Sequence, residues 1–119
     1  MPIITIHSQS EYRDLIQRHR FVILFATATW CSPCQTIKPF FEKFTNDSSY
    51  DPEKLVFAQF DTDEIPALDA ELGIRAIPEF FVWENAEPVD KLSGANPPAL
   101  KKLVDSCIER VNPSSSDDF

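Results

Sequence analysis

Two cysteines separated by two residues, Cys31 and Cys34, have the residue type and the spacing for thiol–disulfide chemistry. They follow residues 21–26, a continuous apolar run typical of a central strand that is covered on both faces, and they open a helical pattern. A cysteine at a helix N-terminus is stabilised as a thiolate by unpaired N–H groups and the helix dipole, and such thiols titrate at about 3.5 to 7.5 rather than about 8.5. We therefore expect Cys31 to attack disulfides at neutral pH. Cys34 lies one turn further along, on the apolar helix face, and is expected to resolve the mixed disulfide.

Two other interpretations of this cysteine pair stay open at the level of sequence. A zinc site needs four ligands, and the remaining candidates, Cys107, His7 and His19, are scattered along the chain. A pair that only packs in the core would need neither Ser32 and Pro33 between the cysteines nor a strand-to-helix corner around them. Thiol–disulfide exchange is therefore favoured, with no metal and no cofactor expected.

Length and composition predict a single globular domain. The 119 residues, 43% of them hydrophobic, are enough for one core without stabilising disulfides. Three cysteines are an odd number without a framework spacing, which favours a reducing compartment, and we expect the cytoplasm. No signal-peptide pattern and no apolar run of roughly 20 residues is present, so no membrane partner is expected. The net charge of −8 repels phosphate backbones, so no nucleic acid is expected either.

The hydrophobic pattern predicts an α/β domain with a mixed sheet and helices on both faces. Five strands are expected at residues 3–6, 21–26, 55–60, 80–83 and 89–92, with a turn at 84–88 joining the last two. Helical patterns follow Ser8, begin at Cys34, surround Leu68 and run from Leu100 to Val111. The domain is expected to span residues 1–111, and residues 112–119 are expected to be a disordered tail.

Three details of these elements can be tested directly. The second helix is expected to bury one face made of Ile37, Phe40, Phe41 and Phe44, and polar residues 45–54 are expected to form a surface loop. Cys107 lies on the apolar stripe of the last helix, and we expect a small core residue there rather than a regulatory thiol.

Residues 30–34 (WCSPC) closely resemble the active site of thioredoxins, and so do Pro39, residues 73–78 (GIRAIP) and residues 93–95 (SGA). The likeness spans roughly residues 3–111, and residues 96–100 (NPPAL) look most like fungal members of the family. The resemblance implies the three-layer thioredoxin fold, with a central mixed five-stranded sheet flanked by four helices. It also implies a cis peptide bond before Pro78 that faces Cys31. The substrate-binding residues it implies are Trp30, Ser32, Pro33, Ile77, Pro78, Gly94 and Ala95.

The sequence departs from the family pattern at several positions. Phe25 stands where thioredoxins usually carry a buried aspartate, and Gln59 stands where its lysine neighbour is usual, so the buried ion pair is expected to be missing. Thr27 replaces the usual tryptophan, and Ser32 replaces the usual glycine. Glu79 follows Pro78 where threonine is common, and it is either a negative charge near the site or a solvated carboxylate at a strand start.

The resemblance implies a dithiol–disulfide oxidoreductase that reduces disulfide-containing proteins and is itself re-reduced by thioredoxin reductase. A redox-impaired binding module with the same surface is the first alternative, favoured by Phe25, Thr27 and Gln59 and opposed by the intact cysteine pair. An oxidase or isomerase is the second alternative, and the expected reducing compartment disfavours it.

Overall fold

The fold is built around one five-stranded sheet, with residues 3–112 described by a computed structural model. In chain order the elements are β1 (Ile3–Thr5), α1 (Gln9–Arg18), β2 (Phe21–Thr27), α2 (Ser32–Asp47), β3 (Leu55–Asp61), α3 (Pro66–Glu71), β4 (Glu79–Glu84), β5 (Glu87–Ser93) and α4 (Pro97–Val111). The strand order in the sheet is β1-β3-β2-β4-β5; β1, β2 and β3 run parallel, while β4 pairs antiparallel with β2 and with β5. This confirms the α/β class and the mixed sheet.

The central position of β2 in the sheet explains why its sequence is apolar without alternation. Successive side chains of a strand point to opposite faces, and both faces of this sheet are covered. Phe21, Ile23 and Phe25 pack with residues of α2 and α4. The intervening Val22, Leu24 and Ala26 pack instead with residues of α1 and α3. Both faces of β2 are therefore covered along its length, and the loop that leads to Cys31 follows the end of this strand directly.

Side-chain caps begin three of the helices. Ser8 accepts a hydrogen bond from the Glu11 backbone N–H at 3.1 Å at the start of α1, as the Ser8–Glu11 spacing predicts. Asn96 accepts the Ala99 N–H at 3.1 Å at the start of α4. The N-cap of α2 is Cys31 itself. The cysteine that is expected to react first thus occupies a position where helices leave N–H groups unpaired.

Helix α2 differs from the expectation in two respects. It continues to Asp47, so the loop predicted at residues 45–54 is wrong for residues 45–47; Thr45 is buried and its hydroxyl donates to the Phe41 carbonyl at 2.7 Å. Phe40 is 38% exposed rather than buried. Phe40 follows Cys34 by six residues and therefore lies about 120° from it around the helix axis. Ile37 and Phe41 lie on the buried face.

The β4–β5 hairpin is tighter than the predicted turn at residues 84–88. Only Asn85 and Ala86 separate the strands, and both have positive φ angles, 53° and 66°. Such a pair of left-handed residues matches the twist of the flanking strands. At the other end of the chain, α4 ends at Val111, and the tail predicted at 112–119 lies outside the described residues from residue 113 onward. Within residues 3–112, no helix combines the length and apolar character needed to cross a membrane.

Candidate functional site

Cys31 and Cys34 lie at the junction between β2 and α2 and are joined by a disulfide, with their Cα atoms 5.2 Å apart. The backbone N–H of Cys34 donates to Sγ of Cys31 at 3.2 Å. Sγ of Cys31 also lies 3.8 Å from the carbonyl oxygen of Ile77. Cys31 is 3% exposed and Cys34 is fully buried. Of the two sulfur-bearing residues, only Cys31 therefore meets solvent.

The segment around Ile77 approaches the disulfide from the start of β4. The peptide bond between Ile77 and Pro78 is cis, as the resemblance implies. Ile77 is half-buried and Pro78 is buried, so Pro78 supports this face from beneath. Its carbonyl accepts the N–H of Gly94 at 3.0 Å, and Gly94 has a φ angle of 95°, a conformation that favours glycine. The two segments before β4 and after β5 are thereby held side by side.

Exposed residues surround the disulfide. Trp30 is 67% exposed, and its indole N–H donates to a carboxylate oxygen of Asp63 at 2.6 Å. Sequence reasoning did not single out Asp63, because only the fold brings the loop after β3 next to Trp30. Of the other residues expected at the surface, four are exposed: Ser32, Pro33, Gly94 and Ala95.

A cleft of about 410 Å³ opens beside Trp30 and Ile77. Two carboxylates, Asp63 and Asp69, and one guanidinium, that of Arg75, lie along it. The cleft therefore combines apolar side chains, those of Trp30 and Ile77, with charged groups of both signs. Its full lining is Trp30, Thr62, Asp63, Asp69, Ile74, Arg75, Ala76 and Ile77.

Beneath the disulfide, the sheet carries aromatic rings instead of a carboxylate. Phe25 is fully buried, stacks on Phe80 with 4.7 Å between ring centroids, and belongs to the same packed cluster as Cys34. Gln59 is the register partner of Phe25 on β3. The Gln59 amide N–H donates to the Thr5 hydroxyl at 3.0 Å, but its buried Oε1 has no hydrogen-bond partner among residues 3–112. Neither Phe25 nor Gln59 therefore supplies a carboxylate that could accept a proton from Cys34.

Glu79 is buried, so a solvated carboxylate at this position is wrong. Its Oε2 accepts a hydrogen bond from the Ser93 hydroxyl at 2.6 Å and lies 3.6 Å from the Lys91 ammonium. Because neighbouring side chains of a strand alternate, Glu79 points to the face opposite Phe80. Phe80 shares its face with Phe25 and Cys34, so the Glu79 carboxylate does not face Cys34.

The other candidate residues from the sequence are Cys107, His7 and His19, and they make contacts within the fold. Cys107 is a free, buried thiol in the core, and burial raises its pKa to about 11. A hydrogen bond to Glu64 raises the pKa of His7, and His19 contacts the Glu53 carbonyl oxygen at 2.8 Å. Across the described part of the chain, no three His, Cys, Asp or Glu side chains are grouped closely enough to hold a metal ion.

Comparison with known proteins gives one consistent family. The family model described as thioredoxin matches residues 3–106. Thioredoxin of Coprinus comatus is 38% identical over 103 residues, covering 87% of this chain and 95% of the relative. Thioredoxin-1 of Schizosaccharomyces pombe is 34% identical over 99 residues, covering 83% of this chain and 92% of the relative.

Solved structures give the same result for the fold. A structure of Plasmodium falciparum thioredoxin superposes with a TM-score of 0.80 at 35% identity, covering 87% of this chain and 97% of the other. Thioredoxin of Malassezia sympodialis superposes with a TM-score of 0.79 at 31% identity, covering 89% and 93% of the two chains.

Proposed function

This chain belongs to the thioredoxin family, and from that premise we propose that Cys31 attacks protein disulfides and that Cys34 resolves the mixed disulfide. The chain is a dithiol–disulfide oxidoreductase that reduces protein disulfides, as the family and the Cys31–Cys34 pair establish. What is proposed is the division of labour between the two cysteines, the surface that receives the substrate and the source of electrons.

The reaction divides into two exchanges. The Cys31 thiolate attacks one sulfur of the substrate disulfide; a Cys31–substrate bond forms, the substrate disulfide breaks, and one substrate thiolate leaves. Cys34 then loses its proton and attacks the Cys31 sulfur, which forms the Cys31–Cys34 disulfide and releases the second substrate thiolate. Two electrons have then passed to the substrate, and the disulfide of this chain must receive two electrons before the next cycle.

The different surroundings of the two sulfurs are the observation that carries this assignment. Cys31 caps α2, and the Cys34 N–H that donates to its Sγ at 3.2 Å stabilises negative charge there once the disulfide opens. Cys34 is fully buried one turn inside the helix, where a folded substrate cannot reach it. Attack from outside therefore belongs to Cys31, and attack from inside belongs to Cys34.

The surface around Cys31 fits an extended substrate segment. Trp30 and Ile77 supply apolar contact area, and the exposed Gly94 and Ala95 add an edge without large side chains beside Ile77. Ser32 and Pro33 complete the proposed substrate-binding surface beside the disulfide, while Pro78 supports it from below.

The proposal extends to partners and location. Disulfide-containing proteins are the electron acceptors, and a thioredoxin reductase is the electron donor, so the chain works in electron transport and in redox homeostasis of the cell. The family membership supports the class of both partners. The odd cysteine count supports a cytoplasmic location. Residues 1–111 form the proposed domain.

Single-cysteine variants test the roles directly. Cys31→Ser should abolish insulin reduction in the presence of NADPH and a thioredoxin reductase. Cys34→Ser should accumulate covalent adducts with oxidised substrate, because the attacking thiol remains while the resolving thiol is missing. Mass spectrometry identifies the adducts, and Cys107→Ser serves as the matched control that keeps the reactive pair. Absence of an adduct on folded Cys34→Ser, or an adduct on Cys31→Ser instead, would contradict the assignment.

A redox-impaired binding module would bind the same oxidised substrates without turnover. The Phe25–Phe80 stack beneath Cys34 favours this alternative, but the family and the intact Cys31–Cys34 pair oppose it. Substrate binding by the native chain without insulin reduction would contradict the proposed function.

A further inference from the structure

The two segments that form the proposed docking surface are connected at two neighbouring points. The first is the backbone hydrogen bond from the Gly94 N–H to the Pro78 carbonyl at 3.0 Å. The second lies one residue further into each strand, where the Ser93 hydroxyl donates to the Glu79 carboxylate at 2.6 Å. Glu79 and Ser93 are direct register partners on β4 and β5. The side-chain bond is therefore placed to fix the end of β5 just before the chain turns away at Gly94.

The Glu79 carboxylate has few other partners, which makes the bond to Ser93 important. The Glu79 side chain is only 7% exposed, and the Lys91 ammonium, 3.6 Å away, belongs to a largely exposed side chain. A buried carboxylate is costly unless hydrogen bonds compensate for the lost water. A hydroxyl-to-carboxylate bond of this length is charge-assisted and stronger than a neutral one. The carboxylate therefore holds the Ser93 hydroxyl firmly.

We propose that Glu79 is a positioning residue for substrate docking, whose carboxylate holds Ser93 so that Gly94 and Ala95 stand beside Ile77 to receive an extended protein segment. This inference rests on the docking surface of the proposed function. Glu79 is buried on the sheet face opposite Phe25 and Cys34, so it acts through Ser93 and not on the reacting sulfurs. It acts on the binding of large substrates and leaves the exchange at Cys31 alone.

Four variants separate the hydrogen bond from the charge. Glu79→Ala and Ser93→Ala each remove the bond from one side. Glu79→Gln keeps an acceptor oxygen for the Ser93 hydroxyl while it removes the negative charge. The double variant Glu79→Ala with Ser93→Ala tests whether the two side chains act through each other. Each variant is assayed with insulin as the protein disulfide and with dipyridyl disulfide, an uncharged small disulfide that needs contact with Cys31 alone.

We expect Glu79→Ala and Ser93→Ala to raise the KM for insulin about fivefold, the factor expected for loss of one hydrogen bond. The kcat for insulin and the rate constant with dipyridyl disulfide should stay within twofold of the native values. The double variant should be no worse than either single variant, and Glu79→Gln should retain a near-native KM. Hydrogen exchange of the Gly94 amide should become faster in both alanine variants and not in Glu79→Gln.

Three results would overturn the proposal. An unchanged KM and unchanged Gly94 exchange in folded Ser93→Ala would mean that the bond does not hold the loop, and this variant decides the matter should Glu79→Ala fail to fold. A KM in Glu79→Gln as high as in Glu79→Ala would assign the effect to charge rather than to positioning. Equal losses with insulin and with dipyridyl disulfide would place the effect at the cysteines. Failure of the native chain itself with dipyridyl disulfide would instead contradict the proposed function.

Discussion

Phe25 makes the second exchange difficult. Cys34 must lose a proton before it can attack, and a phenylalanine ring cannot accept that proton. A carboxylate beneath Cys34 could accept that proton, but the residues in its place are a phenylalanine ring and the Gln59 amide, neither of which is a base at neutral pH. Glu79 does not take over the role, since its side chain points to the opposite face of the sheet. Mixed disulfides should therefore persist longer in this chain than where a carboxylate is present, and should resolve faster as pH rises.

Restoring the ion pair tests this account at the residue scale. Phe25→Asp combined with Gln59→Lys should accelerate single-turnover resolution near pH 7. The same change should lower the free energy of unfolding by about 3 kcal/mol or more, because it removes a fully buried ring that stacks on Phe80. Rapid-quench measurement of the mixed disulfide and urea unfolding give the two quantities.

The control for this variant is Phe25→Asn combined with Gln59→Lys, which has nearly the same shape but lacks the base. It should lose stability without faster resolution. Equal resolution rates in the Asp and Asn variants would remove the missing carboxylate as the cause.

Cys107 gives a second prediction, which concerns pH. Burial raises its pKa from the ordinary thiol range of about 8 to 9 to about 11. Between these values the unfolded thiol has lost its proton while the folded thiol keeps it, so stability must fall as pH rises from 9 to about 11. Below about pH 8 the group contributes no pH dependence. Oxidised native protein should therefore lose stability relative to Cys107→Ala across this window, by at most about 1.4 kcal/mol per pH unit.

The comparison with Cys107→Ala cancels the tyrosines, which titrate in both proteins. At pH 7 the Ala variant should be less stable than the native chain by roughly 1 kcal/mol, as is usual for truncation of a small buried side chain. Rapid alkylation of Cys107 by iodoacetamide in the folded protein at pH 8 would contradict its burial.

Single residues were predictable where their role depends on local pattern, and unpredictable where it depends on a partner across the sheet. Cys34 and Cys107 stand in helical patterns that indicate which face each occupies, and Cys31 stands where a strand pattern gives way to a helical one. The environment of Glu79 depends on strand register, since Ser93 lies opposite it only once β4 and β5 pair. A sequence pattern can place Glu79 at a strand start, but it does not show which face of the strand is covered there.

At the scale of elements, the β4–β5 hairpin has a two-residue turn in which Asn85 suits its left-handed conformation and Ala86 does not. Ala86 has a φ of 66°, and a residue with a Cβ atom is strained in this left-handed region. Ala86→Gly should therefore raise the free energy of unfolding by about 0.5 kcal/mol or more, partly offset by the lost contact of its methyl group with the core. Urea unfolding measures the change.

The matched control is the same substitution in a helix. Ala70 is exposed in α3, where glycine should lower stability by roughly 0.5 to 1 kcal/mol. Destabilisation by Ala86→Gly of the same size as by Ala70→Gly would show that turn strain does not govern the hairpin.

The order and type of all the elements follow from hydrophobic periodicity, whereas their ends depend on local hydrogen bonds. Helix α2 was expected to give way to a loop after Phe44, but the Thr45 hydroxyl bonds back to Phe41 and lets a polar segment stay helical. The hairpin turn was expected over residues 84–88 because that segment is polar, and Asn85 and Ala86 lack the glycine that usually signals a two-residue turn. Each strand of the hairpin therefore continues further into the predicted turn than its composition indicates.

At the scale of the whole molecule, the reactive disulfide and an ion-pair cluster occupy opposite ends of β2. The disulfide follows the C-terminal end of this strand, and Arg20 precedes its N-terminal end, about 20 Å away along the strand. At that far end, Glu84 of β4 pairs with Arg20 and with Arg110 of α4. Both guanidinium groups also lie over the Phe21 ring, with Cζ 5.0 and 5.3 Å from its centroid. The cluster joins the sheet to the last helix without contacting the site.

Glu84→Gln should therefore separate stability from activity. The Glu84 side chain is 16% exposed and forms charge-assisted bonds to two arginines, so its neutralisation should lower the free energy of unfolding by about 1 kcal/mol, a figure reduced by the exposure of the arginines. The deficit should shrink at high salt, because screening weakens the native pairs.

Glu87→Gln is the matched control. Glu87 lies opposite Glu84 in the hairpin register, is exposed and forms no ion pair among residues 3–112, so the free energy of unfolding should hardly change in this variant. Insulin reduction should stay at the native rate in both variants. A slower reduction in folded Glu84→Gln would mean that the far end of β2 influences the disulfide, and an unchanged stability would mean that the cluster contributes nothing to the union of sheet and helix.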